Sequence, residues 1–276
     1  MRRARAYIGS MMKTLSLLFR SAALCLALTP PLAAQEGADL TRVEVLPGWQ
    51  MENGHRMAAL RVRLAPGWHT YWRAPGEAGI PPSFDWSGSR NVARVTPHWP
   101  APALYDQNGM WYLGYEQELV LPLEITPSGP GELHLAGTMD LGVCNDICVP
   151  MRAEISAPLS ASGDGGTSAP IRAALADRPE RLSGARCEAA PIKDGMRLVA
   201  TLALPDLGPR EVAVIEHPDK AIWVSESALR RAGQTVEIAS DLVPETAQPF
   251  FIDRSELTIT VIGGGKAYEA QGCTGG

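Results

Sequence analysis

Leu60, Val62 and Leu64 alternate with Arg61 and Arg63 in the stretch ALRVRL, the period-two pattern of a strand with one dry face and one wet face. The pattern returns in ELVLPLEI (118–125), ELHLAG (132–137), MRAEIS (151–156), EVAVIEH (211–217), AIWVSE (221–226), TVEIAS (235–240) and LTITVIG (257–263), with turn-forming residues between. Only SAPIRAALADRP (168–179) and ESALRRAG (226–233) read as helices, and both are short. Many brief strands at close spacing point to sheets packed face to face. The expected fold is all-β, in two mainly antiparallel β-sandwich domains. Pro122, inside ELVLPLEI, has no N–H to give a ladder, so its strand is expected at a sheet edge or a bulge.

The division into two domains follows from APLSASGDGGTSAP (157–170), almost wholly small or turn-forming residues that offer no apolar face to bury. It reads as a linker between domains at 35–156 and 171–276, each near the usual domain size of roughly 100–200 residues.

Ahead of the first domain, Arg2, Arg3, Arg5, Lys13 and Arg20 precede an acid-free apolar run, Ala22 to Leu28, and a small-residue stretch, Pro30 to Ala34. That is the order of a secretory signal peptide, with cleavage expected after Ala34. Met12 would serve equally as the start, since Lys13 and Arg20 still supply a basic region. Cys25 lies in the apolar run and leaves with it. No segment approaches the roughly 20 apolar residues of a membrane-spanning helix, so an exported chain with no membrane insertion is expected. Without residues 1–34 the chain keeps 20 basic against 30 acidic residues, a formal charge of −10. Lacking clustered Lys and Arg, it is not expected to bind nucleic acid.

Four of the five cysteines survive that cleavage: Cys144, Cys148, Cys187 and Cys273. An even number in an exported chain points to disulfides, with three possible connectivities. Proximity pairs Cys144 with Cys148, leaving Cys187 with Cys273. The second bridge would close a loop of about 85 residues and stabilise its domain by roughly 4 kcal/mol or more. It reads as a structural staple. The first bridge, in GVCNDICVP (142–150), closes so short a loop that it gains little this way. Neighbouring thiols can instead exchange with a partner's disulfide through a mixed disulfide. The intervening Asn145, Asp146 and Ile147 make a tight polar turn, consistent with exposure. They bring no Lys, Arg or His, however, and Asp146 would raise a thiol pKa. On residue chemistry alone, redox pair and local staple both stand.

A metal site is the third reading. A C-x3-C pair with a remote His binds copper in Sco-type chaperones, where the cysteines open a helix on a thioredoxin-like fold. Here Pro150 follows closely and MRAEIS alternates as a strand. His69, His98 and His134 lie in strand-like or aromatic stretches, where a hydrogen-bonded structural role is the simpler account, and His217 belongs to the other domain. Met139 reads as packing. No metal and no cofactor are therefore expected, with copper binding the alternative.

Three blocks resemble one family. LAPGWHTYWRAPGEAGIPPSFDWSGSRNV (64–92), PHWPAPALYDQNGMWYLGYEQELVLPLEI (97–125) and GVCNDICVP are similar to the N-terminal periplasmic domain of DsbD-type thiol:disulfide interchange proteins, in the ScsB-like variant with an additional β domain. The likeness covers about residues 40–156, and is weaker over 170–276, where it rests on LTITVIGGGKAYEAQGC. It implies an immunoglobulin-like sandwich with Cys144 and Cys148 as a redox pair at one end. It also implies a cap loop carrying an aromatic shield, here Tyr105 to Tyr115, with Tyr105, Met110, Trp111 and Tyr112 as candidates and Trp111 as the shield. Tyr71 matches an aromatic strand position near the site.

The implied partners are a thioredoxin-like redox protein or membrane electron-transfer protein as donor, and periplasmic disulfide-containing proteins as acceptors. The sequence holds neither the membrane carrier nor a thioredoxin-like domain, so it is expected to act free-standing, taking electrons from another protein, or to serve as a non-catalytic binding module. Six of the seven tryptophans fall in the first domain and read as packing, and GEAGIPP (76–82) reads as a rigid turn. No nucleotide loop, nucleophile–base pair or paired carboxylates with motif support is present.

Overall fold

The computed structural model describes residues 40–76, 79–107, 109–159 and 168–275. The expected signal peptide and Cys25 lie outside them. The first half of the chain forms ten strands: β1 (Thr41–Gln50), β2 (Arg56–Leu64), β3 (His69–Tyr71), β4 (Ser83–Asp85), β5 (Val92–Pro97), β6 (Ala103–Gln107), β7 (Met110–Glu116), β8 (Glu118–Pro127), β9 (Leu133–Cys144) and β10 (Cys148–Leu159). They make two sheets, one ordered β1-β2-β8-β5 and the other β10-β9-β3-β7-β6, with β4 on β9. Between the sheets Leu60, Trp72, Leu113, Leu121, Leu123, Leu135 and Met139 are sealed from water. Each contributes on the order of 1.5–3 kcal/mol of burial.

Pro122 departs from expectation, because β8 is an interior strand, held between β2 and β5. Its carbonyl accepts from the His98 amide just past the end of β5. In an antiparallel ladder the nitrogen of a residue faces the same side as its carbonyl, so the missing N–H points beyond β5 and no β2 bond is lost. On β7, a Cβ at Gly114 would fall on the Thr70 carbonyl oxygen, and glycine is what lets β3 lie so close.

The second half begins with α1 (Ser168–Ala176) and continues as β11 (Glu180–Leu182), β12 (Arg186–Ile192), β13 (Gly195–Ala203), β14 (Glu211–Glu216), β15 (Trp223–Val224), β16 (Ala228–Ala232), β17 (Thr235–Val243), β18 (Thr258–Gly263), β19 (Lys266–Gln271) and β20 (Thr274–Gly275). One sheet runs β11-β19-β18-β14, the other β15-β17-β13-β12-β20 with β16 on β17. All pairings are antiparallel except β11–β19 and β12–β20. The fold is thus all-β and immunoglobulin-like.

Of the stretch 157–170, Ala157 to Leu159 complete β10 and Ser168 to Pro170 open α1. Pro170 is tolerated there because the first turn of a helix has no partner for its N–H. Ile171 is buried against Leu46, Met57 and Ala59, which fixes α1 to the first sandwich.

ESALRRAG is not a helix. Its core is β16, which pairs with β17 from Ala228↔Ala239 to Ala232↔Thr235. Gly233, at φ 63°, closes the two-residue turn between them. Leu229 packs on the core, while Arg231, on the same face, donates twice to Glu211 at 2.8 and 2.6 Å and to the Leu204 carbonyl. Those tertiary bonds override the helical propensity of Ala, Leu and Arg.

The described residues form one compact unit. Ile262 and Ala267 of the second sandwich share an apolar cluster with Trp72 and Leu113 of the first, and Val212 and Val214 pack against it. Beside this seam Arg73 lies over the Trp72 ring at 4.2 Å and donates to Glu216 at 2.8 Å and Glu269 at 2.6 Å. Among the described residues no helix is long and apolar enough to cross a membrane.

Candidate functional site

β9 and β10 pair over their whole length, from Cys148↔Cys144 at the closed end to Leu159↔Leu133. The hairpin closes through Asn145 to Ile147, with the Asn145 amide donating to the Ile147 carbonyl at 3.0 Å. Cys144 and Cys148, their Cα atoms 4.1 Å apart, are joined by a disulfide. The two sulfurs sit in different surroundings because the strands do. β9 is interior, and Cys144 is 0% exposed; β10 is the sheet edge, and Cys148 is exposed.

Aromatic side chains close over the buried sulfur. The Tyr71 hydroxyl donates to Cys144 Sγ at 3.1 Å and lies 3.5 Å from Cys148 Sγ. Tyr112 and Tyr105, across the β6–β7 pair, stack at 5.0 Å, and Tyr112 stacks in turn on His69 at 4.2 Å. Tyr71 meets both His69 and Tyr112 edge-on. Burial pushes the Tyr71, Tyr105 and Tyr112 phenols above their ordinary range, reinforced at Tyr105 and Tyr112 by Glu116, and pushes the His69 imidazole down. At neutral pH the sulfur therefore faces uncharged O–H and ring groups.

Of the expected cap residues, the structure brings Tyr71 and Tyr112 to Cys144, with Tyr105 stacked behind Tyr112. Met110, at the tip of the β6–β7 hairpin, is 59% exposed and shares the face of Tyr112 by strand alternation. Trp111 is not brought there. It takes the opposite face of β7, where its ring lies against Gly76, 3.0 Å from where a Cβ would stand. It lines a cleft of about 440 Å³ with Arg73, Ile215, Glu216, Lys220 and Trp223. Consecutive aromatics in MWYLGY carry no alternation, so the sequence leaves open which of them faces the sulfurs.

His69 is the residue that sequence reasoning passed over. It is 4% exposed, pairs with Cys144 across β3–β9, and its Nε2 lies 3.4 Å from the Tyr71 hydroxyl. The signal was its i, i+2 spacing from Tyr71, which puts both on one face of a strand. One described residue of GEAGIPP also reaches the site. Ile80 sits beside Gly142, where a Cβ would stand 2.9 Å from the Ile80 Cβ and 3.1 Å from the Tyr71 ring. Ile80, Met110 and Ile147 are three of the five large hydrophobic side chains exposed among the described residues.

Cys187 and Cys273 form the second bridge, 86 residues apart in sequence, between β12 and the segment before β20. Met139 is wholly buried in the core, and His134 meets Ser156. Among the described residues no three His, Cys, Asp or Glu side chains stand where they could hold a metal.

Capping by tyrosines leads to a testable contrast. Trp111→Ala is expected to leave alkylation of the reduced Cys144/Cys148 pair by a bulky maleimide at the wild-type rate. Tyr112→Ala is expected to speed it several-fold with the circular dichroism unchanged. Acceleration by Trp111→Ala alone would return the shield to Trp111.

Residues 42–160 match the family model described as the N-terminal part of thiol:disulfide interchange protein DsbD. No curated protein matches the sequence. Among solved structures, the chain is similar to the N-terminal periplasmic domain of ScsB from Proteus mirabilis, at 22% identity and a TM-score of 0.64. The match covers 90% of this chain and 96% of that one, so the two share a fold through both sandwiches.

Proposed function

We propose that this chain is a periplasmic thiol–disulfide exchange protein working through Cys144 and Cys148. It would take electrons from a thioredoxin-like or membrane-linked dithiol and pass them to disulfides of periplasmic proteins. The observation that carries this reading is the asymmetry of the bridge, with one sulfur exposed on an edge strand and the other buried under tyrosines. A thiolate from the donor can reach only the exposed sulfur, Cys148. Attack there forms a mixed disulfide and releases Cys144 as a thiolate. The donor's second thiolate then attacks its own sulfur in the mixed disulfide, leaving the donor oxidised and both cysteines reduced. In the outward direction Cys148 attacks an acceptor disulfide, and Cys144 resolves the product. The match over residues 42–160 supports this, as does the likeness to the N-terminal periplasmic domain of ScsB.

The reading is tested by trapping. With Cys144→Ser no resolving thiol remains, so Cys148 is expected to accumulate in mixed disulfides with periplasmic proteins, identified by mass spectrometry under non-reducing conditions. Cys148→Ser should trap far less. A Cys144→Ser variant that traps nothing beyond the double-serine protein would leave the bridge as a staple.

A further inference from the structure

The exchange just described gives the Tyr71 hydroxyl and the His69 ring no part, yet both lie in the path of the leaving sulfur. The phenol oxygen has three neighbours: Cys144 Sγ at 3.1 Å, His69 Nε2 at 3.4 Å and Cys148 Sγ at 3.5 Å. It has one proton to give. A bare Nε2 would be a better acceptor than a disulfide sulfur and would draw that proton away from Cys144. An Nε2 carrying hydrogen would instead donate to the phenol oxygen and leave its proton for the sulfur. The hydroxyl lies nearer to Cys144 Sγ, at 3.1 Å, than to Nε2, at 3.4 Å, which is the geometry the second arrangement requires.

The same contact changes strength when the bridge opens. A disulfide sulfur is a weak acceptor, whereas a thiolate makes a charge-assisted bond roughly twice as strong as a neutral one. Tyr71 therefore favours the reduced state over the oxidised one, and differential stabilisation of that kind raises a rate. Cys144 needs it, because a thiolate enclosed by Tyr71, Tyr112 and the sheet would otherwise leave reluctantly.

We infer that Tyr71 receives the Cys144 thiolate through its hydroxyl, and that His69 is the positioning residue that turns that hydroxyl onto sulfur by donating from Nε2. The inference rests on the exchange reading above. As a dithiol's thiolate bonds to Cys148 Sγ, the electron pair of the broken S–S bond passes to Cys144 Sγ, which accepts the Tyr71 hydrogen bond. The dithiol's second thiolate then displaces Cys148 as a thiolate, and the dithiol ends as a disulfide. The groups facing His69 are Tyr71 on its own strand, Cys144 on β9, and Tyr112 and Glu116 on β7, with Tyr105 behind Tyr112. Glu116, paired with His69 and exposed, is the one carboxyl-bearing residue among them.

The test uses the full chain with Tyr71→Phe, His69→Gln and His69→Leu. The Cys144 pKa is read from its ¹³Cβ shift in reduced protein, and reduction of the bridge by dithiothreitol is followed in parallel. Tyr71→Phe keeps the ring and is expected to raise the Cys144 pKa by about one to two pH units and slow reduction about tenfold. His69→Leu should move both in the same direction by less. His69→Gln, whose amide can still donate, should restore most of the loss. A packing role for His69 would lower the melting temperature of both variants without separating their pKa values. An unmoved Cys144 pKa in Tyr71→Phe, with the wild-type bridge reactive, overturns this inference alone. A wild-type bridge inert to dithiols overturns the exchange reading and this inference together.

Discussion

The double substitution Cys187→Ala/Cys273→Ala is expected to remove about 2–5 kcal/mol of stability while leaving exchange at Cys144–Cys148 intact. The bridge spans 86 residues and ties the final segment to β12, one of whose neighbours is the two-residue β20. Cys187 is wholly buried, and Arg254 binds its carbonyl at 3.2 Å. Without the bridge the unfolded chain regains the freedom of a long loop, and the folded chain must hold β20 by hydrogen bonds, those from the Thr274 amide and hydroxyl to the Ala185 carbonyl among them. Denaturant unfolding of wild type and variant, monitored by circular dichroism, measures the difference. A loss under 1 kcal/mol would mean that the closing segment is held by packing.

The two bridges should also open far apart under graded reduction. At a thioredoxin-like poise of about −270 mV Cys144–Cys148 should be largely reduced, because Cys148 is exposed to attack and the bridge closes a very short loop. Cys187–Cys273 should stay closed until denaturant is added, since structural bridges commonly lie below about −300 mV and Cys187 is out of reach of a thiolate. Alkylation at each potential with peptide mass spectrometry gives the order, and circular dichroism should hardly change at the first step. If both open together, or Cys187–Cys273 opens first, the exchange assignment fails.

Much of this was legible before any coordinates. Alternation named the strands because each sandwich buries one face of a sheet, and cysteine spacing separated the bridges. What escaped the sequence depended on neighbours distant in the chain. Trp111 and Tyr112 are adjacent and both aromatic, and only the β6–β7 register decides that Tyr112 meets the sulfur. ESALRRAG has helical residues, but its turn at Gly233 and the Arg231–Glu211 pair are tertiary facts. Pro122 could be placed only once the end of β5 was known. His69 looked like a structural histidine because nothing in HTYWR tells that β9 brings Cys144 opposite it.

The family match ends at residue 160, but the packing does not. A fragment cut there would keep the disulfide and its tyrosines. It would also bare the apolar surface that Ile262, Ala267, Val212 and Val214 cover, and would take Glu216 and Glu269 away from Arg73. Arg73 stands two residues beyond Tyr71, so the strand that delivers a hydroxyl to the sulfurs is anchored at its far end by the other sandwich. Portability thus belongs to the pair. Grafted into a fusion, or trimmed for a redox assay, the unit to move is both sandwiches, and a first sandwich moved alone should self-associate through its exposed seam.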